Sequence, residues 1–242
     1  MKSKESIDTN LNLRTNIMGL KNFDPDKDSK VLHDYHLRLW NRSFKGINVF
    51  HFIKKAKPPY FFNWHDQKIT SDSIITTFRN IKKSSKTQAL IQKIPIKTIM
   101  ELSALGSTVG GFIIFPGTKY KNYLTINQAR GLHPAIKDRF DITLECIRLF
   151  YDRETKSYPL KEILINNNKF FDIFDNFKDY VDFFLLQDLV DNDYKKVKFW
   201  LHFDSFYSQN PIPKNLDEYL TFIENEKSFV NERNLRISKL NI

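Results

Sequence analysis

The sequence has a single cysteine, Cys146, in 242 residues. One thiol excludes an intrachain disulfide and any zinc site built on several cysteines. No stretch approaches the ~20 uninterrupted apolar residues of a membrane span. Met1-Lys2-Ser3-Lys4-Glu5-Ser6 has no apolar run behind it and does not read as a secretory signal. These absences predict a cytoplasmic protein with no membrane partner. Glycine is also scarce. Of seven, five (Gly106, Gly110, Gly111, Gly117 and Gly131) fall in one short stretch, leaving only Gly19 and Gly46 elsewhere. Glycine permits positive φ or close backbone approach at an entropic cost. A chain that avoids it elsewhere and gathers it here is expected to build one special backbone region, where a Cβ at Gly111 or Gly131 disturbs the structure.

Acidic residues are sparse in the first part of the chain. Residues 1–100 hold 19 Lys and Arg against 8 Asp and Glu, a net of +11, whereas residues 151–242 carry a net of −3. The whole chain has a net charge of +10. So polarised a molecule is suited to a polyanion on its basic side. A lysine-rich solvated surface is the plainer account. Arg79, Lys82, Lys83 and Lys86, with Lys54, Lys55 and Lys57 nearby, are the candidate nucleic-acid contacts. Tyr60, Phe61, Phe62 and Trp64 could stack bases, although their dense apolar pattern suits a strand entering a core.

Residues 1–22 are polar, lack periodicity and are expected to fray, leaving 23–242 as one domain. Asp28 or Ser29 caps a helix expected over residues 30–40. Residues 47–53 and 59–64 read as strands. Ser71-Asp72-Ser73 reads as the start of a helix to about residue 81. Pro95 breaks an apolar helix over residues 88–104. Residues 110–117 read as a buried strand closed by a Pro-Gly turn, with residues 123–126 as the expected partner. A helix is expected over residues 134–151 with Pro134 at its first position, then mainly helices, a short strand at 197–203, and a last helix capped by Asn215. The fold class is α+β: a single domain with a small, mostly antiparallel sheet in the first half and a predominantly helical second half.

The candidate chemistry lies at residues 106–148. Lys137, Asp141, Glu145 and Arg148 are spaced to form one row on the 134–151 helix, opposite its apolar stripe. Arg130, His133, Lys137 and Arg139 are the candidate phosphate-binding groups, and Asp141 and Glu145 the candidate catalytic carboxylates. An ordinary salt-bridged surface helix explains the same row. Gly110-Gly111 is no nucleotide fingerprint, because it precedes a strand instead of following one, and close packing accounts for it. The sequence names no cofactor. No metal site is expected: His33 and His36 lack a third ligand of diagnostic spacing. Asp24, Asp26 and Asp28 lack the Gly and Glu that an EF-hand loop requires, and read as a turn with a cap. Asp188, Asp191 and Asp193 read as a solvated helix end, and Cys146 as a small core residue.

The segments Phe23-Asp24-Pro25-Asp26-Lys27-Asp28-Ser29, Gly110-Gly111-Phe112-Ile113-Ile114-Phe115-Pro116-Gly117, Thr125-Ile126-Asn127-Gln128-Ala129-Arg130-Gly131, residues 138–148 and residues 180–188 resemble an uncharacterised bacterial family, a domain of unknown function found in low-GC bacteria and others. The resemblance covers about residues 23–237. It implies a single intracellular bacterial domain with no known reaction, and supplies no catalytic residues. The expected function is action on a phosphate-bearing ligand, either a nucleotide or a nucleic acid. A toxin or phage-defence effector fits by analogy of size and context alone. The alternatives are a non-catalytic nucleic-acid-binding module using residues 45–97, and an interaction domain with a Phe-rich helical face.

Overall fold

The computed structural model describes residues 6–15, 19, 21, 23–52, 62–65, 67–78, 85–117, 119, 124–207 and 211–242. Packing starts earlier than residue 23. Ile7 and Leu13 are buried, and the Leu13 amide donates to the Ser107 carbonyl at 2.9 Å. These two apolar side chains, isolated in a polar stretch, anchor a segment that lacks periodicity.

Asp24 accepts from the Asp26 amide and caps a short α1 (Pro25–Asp28), and Ser29 accepts from the Leu32 amide and caps α2 (Lys30–Trp40). A two-residue hairpin follows: β1 (Ser43–Phe44) pairs with β2 (Ile47–Asn48) around Lys45 and Gly46, both at positive φ. The main sheet has the order β3-β4-β5, from β3 (Phe62–Trp64), β4 (Gln67–Ser73) and β5 (Phe112–Pro116). It is antiparallel, with Phe62 opposite Ile69 and Ser73 opposite Phe112. All five β5 residues are buried.

Ser71-Asp72-Ser73 thus ends a strand and does not open a helix. Small polar residues carry a local capping signal, but here a five-residue ladder to the apolar β5 overrides it. The same pairing displaces the expected partner of β5: Thr125 instead caps α5 (Ile126–Leu132) through a capping box with Gln128. Residue 123 lies outside the described residues.

Pro95 separates α3 (Ser85–Lys93) from α4 (Ile96–Leu105). The helix expected from Pro134 begins six residues later, as α6 (Phe140–Tyr151). Residues 134–138 form turns, with Lys137 and Asp138 at φ of 49° and 68°. Then come α7 (Lys161–Asn166), α8 (Asn168–Phe171) and α9 (Phe177–Phe184). The strand expected at 197–203 is only an isolated bridge between Val190 and Val197. Asn215 caps the long α10 (Leu216–Ser238). The fold is α+β, with its strands in the first half and a helical C-terminal half.

The aromatic residues explain the core. Phe50 packs on Phe170 and Phe183 at centroid distances of 5.5 and 5.6 Å, and Trp40 on Phe184 at 5.0 Å. Phe170, Phe171, Phe174, Phe177 and Phe184 are all buried. The Phe-rich helical face is therefore the core itself.

The glycine cluster is a packing device. A Cβ on Gly111 would stand 2.0 Å from the Gly106 carbonyl oxygen, and one on Gly110 would stand 2.5 Å from Asn234 Oδ1. That close approach lets α10 clamp the sheet. Arg233 donates to the carbonyls of Gly110 (2.8 Å), Phe112 (2.7 Å) and Phe184 (3.1 Å). Gly131 is different: the nearest atom to its would-be Cβ is Asp138 Oδ1 at 3.8 Å.

Candidate functional site

The residues singled out in the sequence divide between two buried ion networks and a surface ladder. Arg139 and Asp141 are fully buried and paired, with Nε–Oδ1 at 3.1 Å and Nη2–Oδ2 at 2.5 Å. Arg139 also donates to the carbonyls of Pro211 and Leu201, and Asp141 accepts from the Trp200 amide at 2.8 Å. The pair therefore ties the start of α6 to the segment 200–211. Both groups are fully partnered, so neither can take a phosphate or a substrate proton without unpacking the helix start. Glu145 receives a bidentate Arg148 at 2.7 Å for each bond, and Arg148 bridges onward to Asp152. His133 is half-exposed, with Nδ1 accepting from the Ala135 amide at 3.2 Å. Burial, and then the charge of Lys137, lower its pKa. Lys137 stands in the turn that precedes α6. The expected solvent-facing row is not formed, because Lys137 precedes the helix and the first residues of α6, Phe140 to Leu144, are buried on every side, Asp141 included. Arg79, Lys82 and Lys83, and the Lys86 side chain, lie outside the described residues.

Arg130 is the centre of the second network. Its buried guanidinium contacts Asp72 Oδ2 at 2.5 Å and Asp138 Oδ1 at 2.9 Å. It also donates to the Asp138 carbonyl (2.8 Å), the Ser73 carbonyl (3.3 Å) and Thr143 Oγ1 (3.3 Å). Four segments meet here: α1, β4, α5 and the turn before α6. The β4 pleat sends Ser71 inward and Asp72 to the opposite side. The capping box of α5 sets Arg130 and Asn127 over β4, where Asn127 Nδ2 donates to Thr70 Oγ1 and to the Ser71 carbonyl, both at 3.2 Å.

A hydrogen-bonded chain with a fixed direction backs this cluster. Trp40 Nε1 can only donate, and it reaches His36 Nδ1 at 2.7 Å. His36 therefore carries its proton on Nε2 and donates it to Ser71 Oγ at 3.0 Å. The Ser71 hydroxyl is left to donate to the Asp26 carboxylate, with which it is hydrogen-bonded. This direction excludes a Ser–His nucleophile, because His36 cannot accept the Ser71 proton. Burial, reinforced by the charge of Arg233, holds His36 well below its ordinary pKa, so it stays neutral. With both nitrogens engaged it is no metal ligand.

Asp72 and Asp138 share the Arg130 guanidinium, and Asp26 stands close enough to Asp72 for its charge to act there. Burial and neighbouring carboxylates together favour a retained proton. Burial, with help from Asp24, pushes Asp26 up to about 6 against the pull of the Ser71 bond. Burial, with Asp138 and Asp26, pushes Asp72 up to about 7 against the opposing pull of Arg130. Two buried oxygens here, Asp26 Oδ1 and Asn127 Oδ1, accept no hydrogen bond from the described residues. The cluster reaches solvent through Asp72 and Asp138, whose side chains are 25% and 43% exposed.

Sequence reasoning found Arg130 but not its acids. Asp26 looked like turn chemistry, Asp72 like a helix start and Asp138 like part of a helix. The alternating acids around Pro25 were the one signal that could have marked the site. Cys146 is buried, with its thiol pushed well above the ordinary value by burial, as a core residue should be. No helix among the described residues is long and apolar enough to cross a membrane.

Comparison of the chain with curated proteins and with solved structures returns no match. One family model matches residues 7–237, nearly the full length. The chain belongs to that family, described as a family of unknown function (DUF6994).

Proposed function

We propose that the Asp26–Asp72–Arg130–Asp138 cluster is a proton-transfer site acting on a hydroxyl-bearing ligand, such as the sugar of a nucleotide or of a nucleic-acid end. The observation that carries this reading is the Asp72 carboxyl: partly exposed, raised to about 7 and backed by Asp26 at about 6. A carboxyl that titrates near neutrality serves as acid or base at working pH. The excess of acceptors sets the ligand class. Asp72 and Asp138 on one arginine leave no free positive charge for a phosphate and offer acceptors to hydroxyl donors. A phosphate-bearing ligand would therefore be held by its sugar. Calorimetry with adenosine, AMP and inorganic phosphate tests this. Adenosine and AMP are expected to bind comparably, to lose at least tenfold in affinity in the Asp72→Asn variant, and phosphate alone not to bind. Binding of phosphate alone, or no binding of either nucleoside form, would remove the reading.

The charge distribution favours a second reading, in which the basic first hundred residues, at net +11, meet a polyanion. Its expected signature is a steep salt dependence of RNA or DNA binding.

A further inference from the structure

A cleft of about 690 Å³ lies beside the C-terminal end of α6, between the 153–158 loop, α7 and the segment after α8. Its volume is that of a small-molecule site. Some 16 Å of α6, at about 1.5 Å per residue, separate it from the Arg130 cluster, so it is a distinct place on the molecule. Phe150, Tyr151, Tyr158 and Phe174 give it an aromatic lining, and Glu154, Asp172 and Asp175 line it as well.

The cleft wall already holds one ammonium. Lys161 Nζ donates to the carbonyls of Glu154 (2.8 Å), Thr155 (2.7 Å) and Lys156 (3.1 Å), which use all three of its protons. The same ammonium lies 5.6 Å above the Tyr158 ring. Its three protons are taken by backbone oxygens, so it makes no direct ion pair with the carboxylates of the lining. Asp172 and Asp175 are exposed and make no ion pair among the described residues. Glu154 accepts from the Lys156 amide at 2.8 Å, and its pKa is lowered by that bond, so it stays charged. Arg153, exposed at a left-handed φ of 54°, and Lys161 are the cations of the lining, against the three acids. Aromatic faces beside carboxylates in excess of cations form a recognition surface for organic cations.

We infer that this cleft is a binding site for an organic cation, a primary ammonium carried on an apolar or aromatic body. The ammonium sits between Asp172 and Asp175, and the apolar body lies against Tyr151 and Phe174.

Titration of the full chain with phenethylamine, followed by NMR of the Tyr and Phe side chains, tests the inference. 2-Phenylethanol and phenylacetate serve as uncharged and anionic controls of the same shape. Phenethylamine is expected to shift Tyr151 and Phe174. It should bind at least roughly fivefold more weakly in each of Asp172→Asn and Asp175→Asn, the scale of one exposed ion pair. Both variants should melt with the parent, since the two side chains are exposed. Equal binding of 2-phenylethanol would make the cleft a plain apolar pocket and overturn the inference. Preferential binding of phenylacetate would assign it to Arg153 and an anion, and would overturn it too. No shift with any of the three would leave the cleft without a ligand of this class.

Discussion

Replacing Asp141 with Asn is the sharpest test of how the charged residues of α6 are used. Had Asp141 been a surface acid, Asp141→Asn would shift stability by less than ~0.5 kcal/mol. The structure predicts a far larger effect. Asp141 is fully buried, accepts from Nε and Nη2 of the equally buried Arg139, and accepts the Trp200 amide. Asn keeps the shape and one acceptor but removes the charge, which leaves the Arg139 guanidinium buried without its counter-ion. Breaking a buried pair from one side costs about 3–5 kcal/mol. In a chain of this length that corresponds to a fall in Tm of roughly 6–20 °C. Urea denaturation followed by tryptophan fluorescence measures it, and Trp200 reports from the pair itself. The double variant Arg139→Met/Asp141→Leu should cost less than the sum of its single changes, because the two groups act as a unit. A loss below about 1 kcal/mol for Asp141→Asn, with additive single changes, would show that the pair is not the buried clamp described.

Other expectations follow from particular contacts. Gly111→Ala should destabilise well beyond the ~1 kcal/mol of an ordinary glycine site, because its Cβ meets a backbone oxygen at 2.0 Å. Gly131→Ala, inside α5 with 3.8 Å of clearance, should be neutral or stabilise by up to about 1 kcal/mol; thermal melts of the two variants that came out alike would refute the contrast. Asp26 has a folded pKa of about 6 against 3.8 ordinarily, so the native state binds the extra proton between those values and loses stability as pH rises through that window. The stability of Asp26→Asn relative to the parent should therefore increase from pH 4 to pH 7, and a pH-independent difference would contradict it. Changing Lys82, Lys83 and Lys86 to Gln should reduce the salt slope of RNA binding by up to about three, at roughly 0.9 per lysine; an unchanged slope would take these residues out of the interface.

Much of the helical architecture was legible because its signals are local. Ser29 before α2, Pro95 between α3 and α4, and Asn215 before α10 each state a boundary within a few residues. The sheet was less legible. Ser71-Asp72-Ser73 carries a capping signal in the chain and becomes a strand only through β5, some forty residues onward. The start of α6 was placed early because Pro134 is a good first-turn residue, whereas positive φ at Lys137 and Asp138 breaks the chain before Phe140. Asp141 lies inside because the start of α6 is buried on every side, which no single amphipathic stripe reveals. The site itself was half legible. Arg130 stood out in a polar segment, but its partner Asp72 is 58 residues away, and no local pattern links them. Gly106, Gly110 and Gly111 signalled close approach, Gly110 against α10 and Gly111 against the Gly106 backbone, whereas Gly131 has open clearance.

Burial, reinforced by neighbouring carboxylates, keeps Asp26 and Asp72 from both being ionised near neutrality. Carboxyl carbon NMR, with the two resonances assigned through Asp26→Asn and Asp72→Asn, reads this directly across pH 3 to 9. Apparent titrations near 6 and 7 are expected, with that of Asp72 shifting downward when Asp26 is removed. Both carboxyls titrating near the ordinary value of 3.8, unaffected by each other's removal, would show an arginine-balanced structural salt bridge and contradict it.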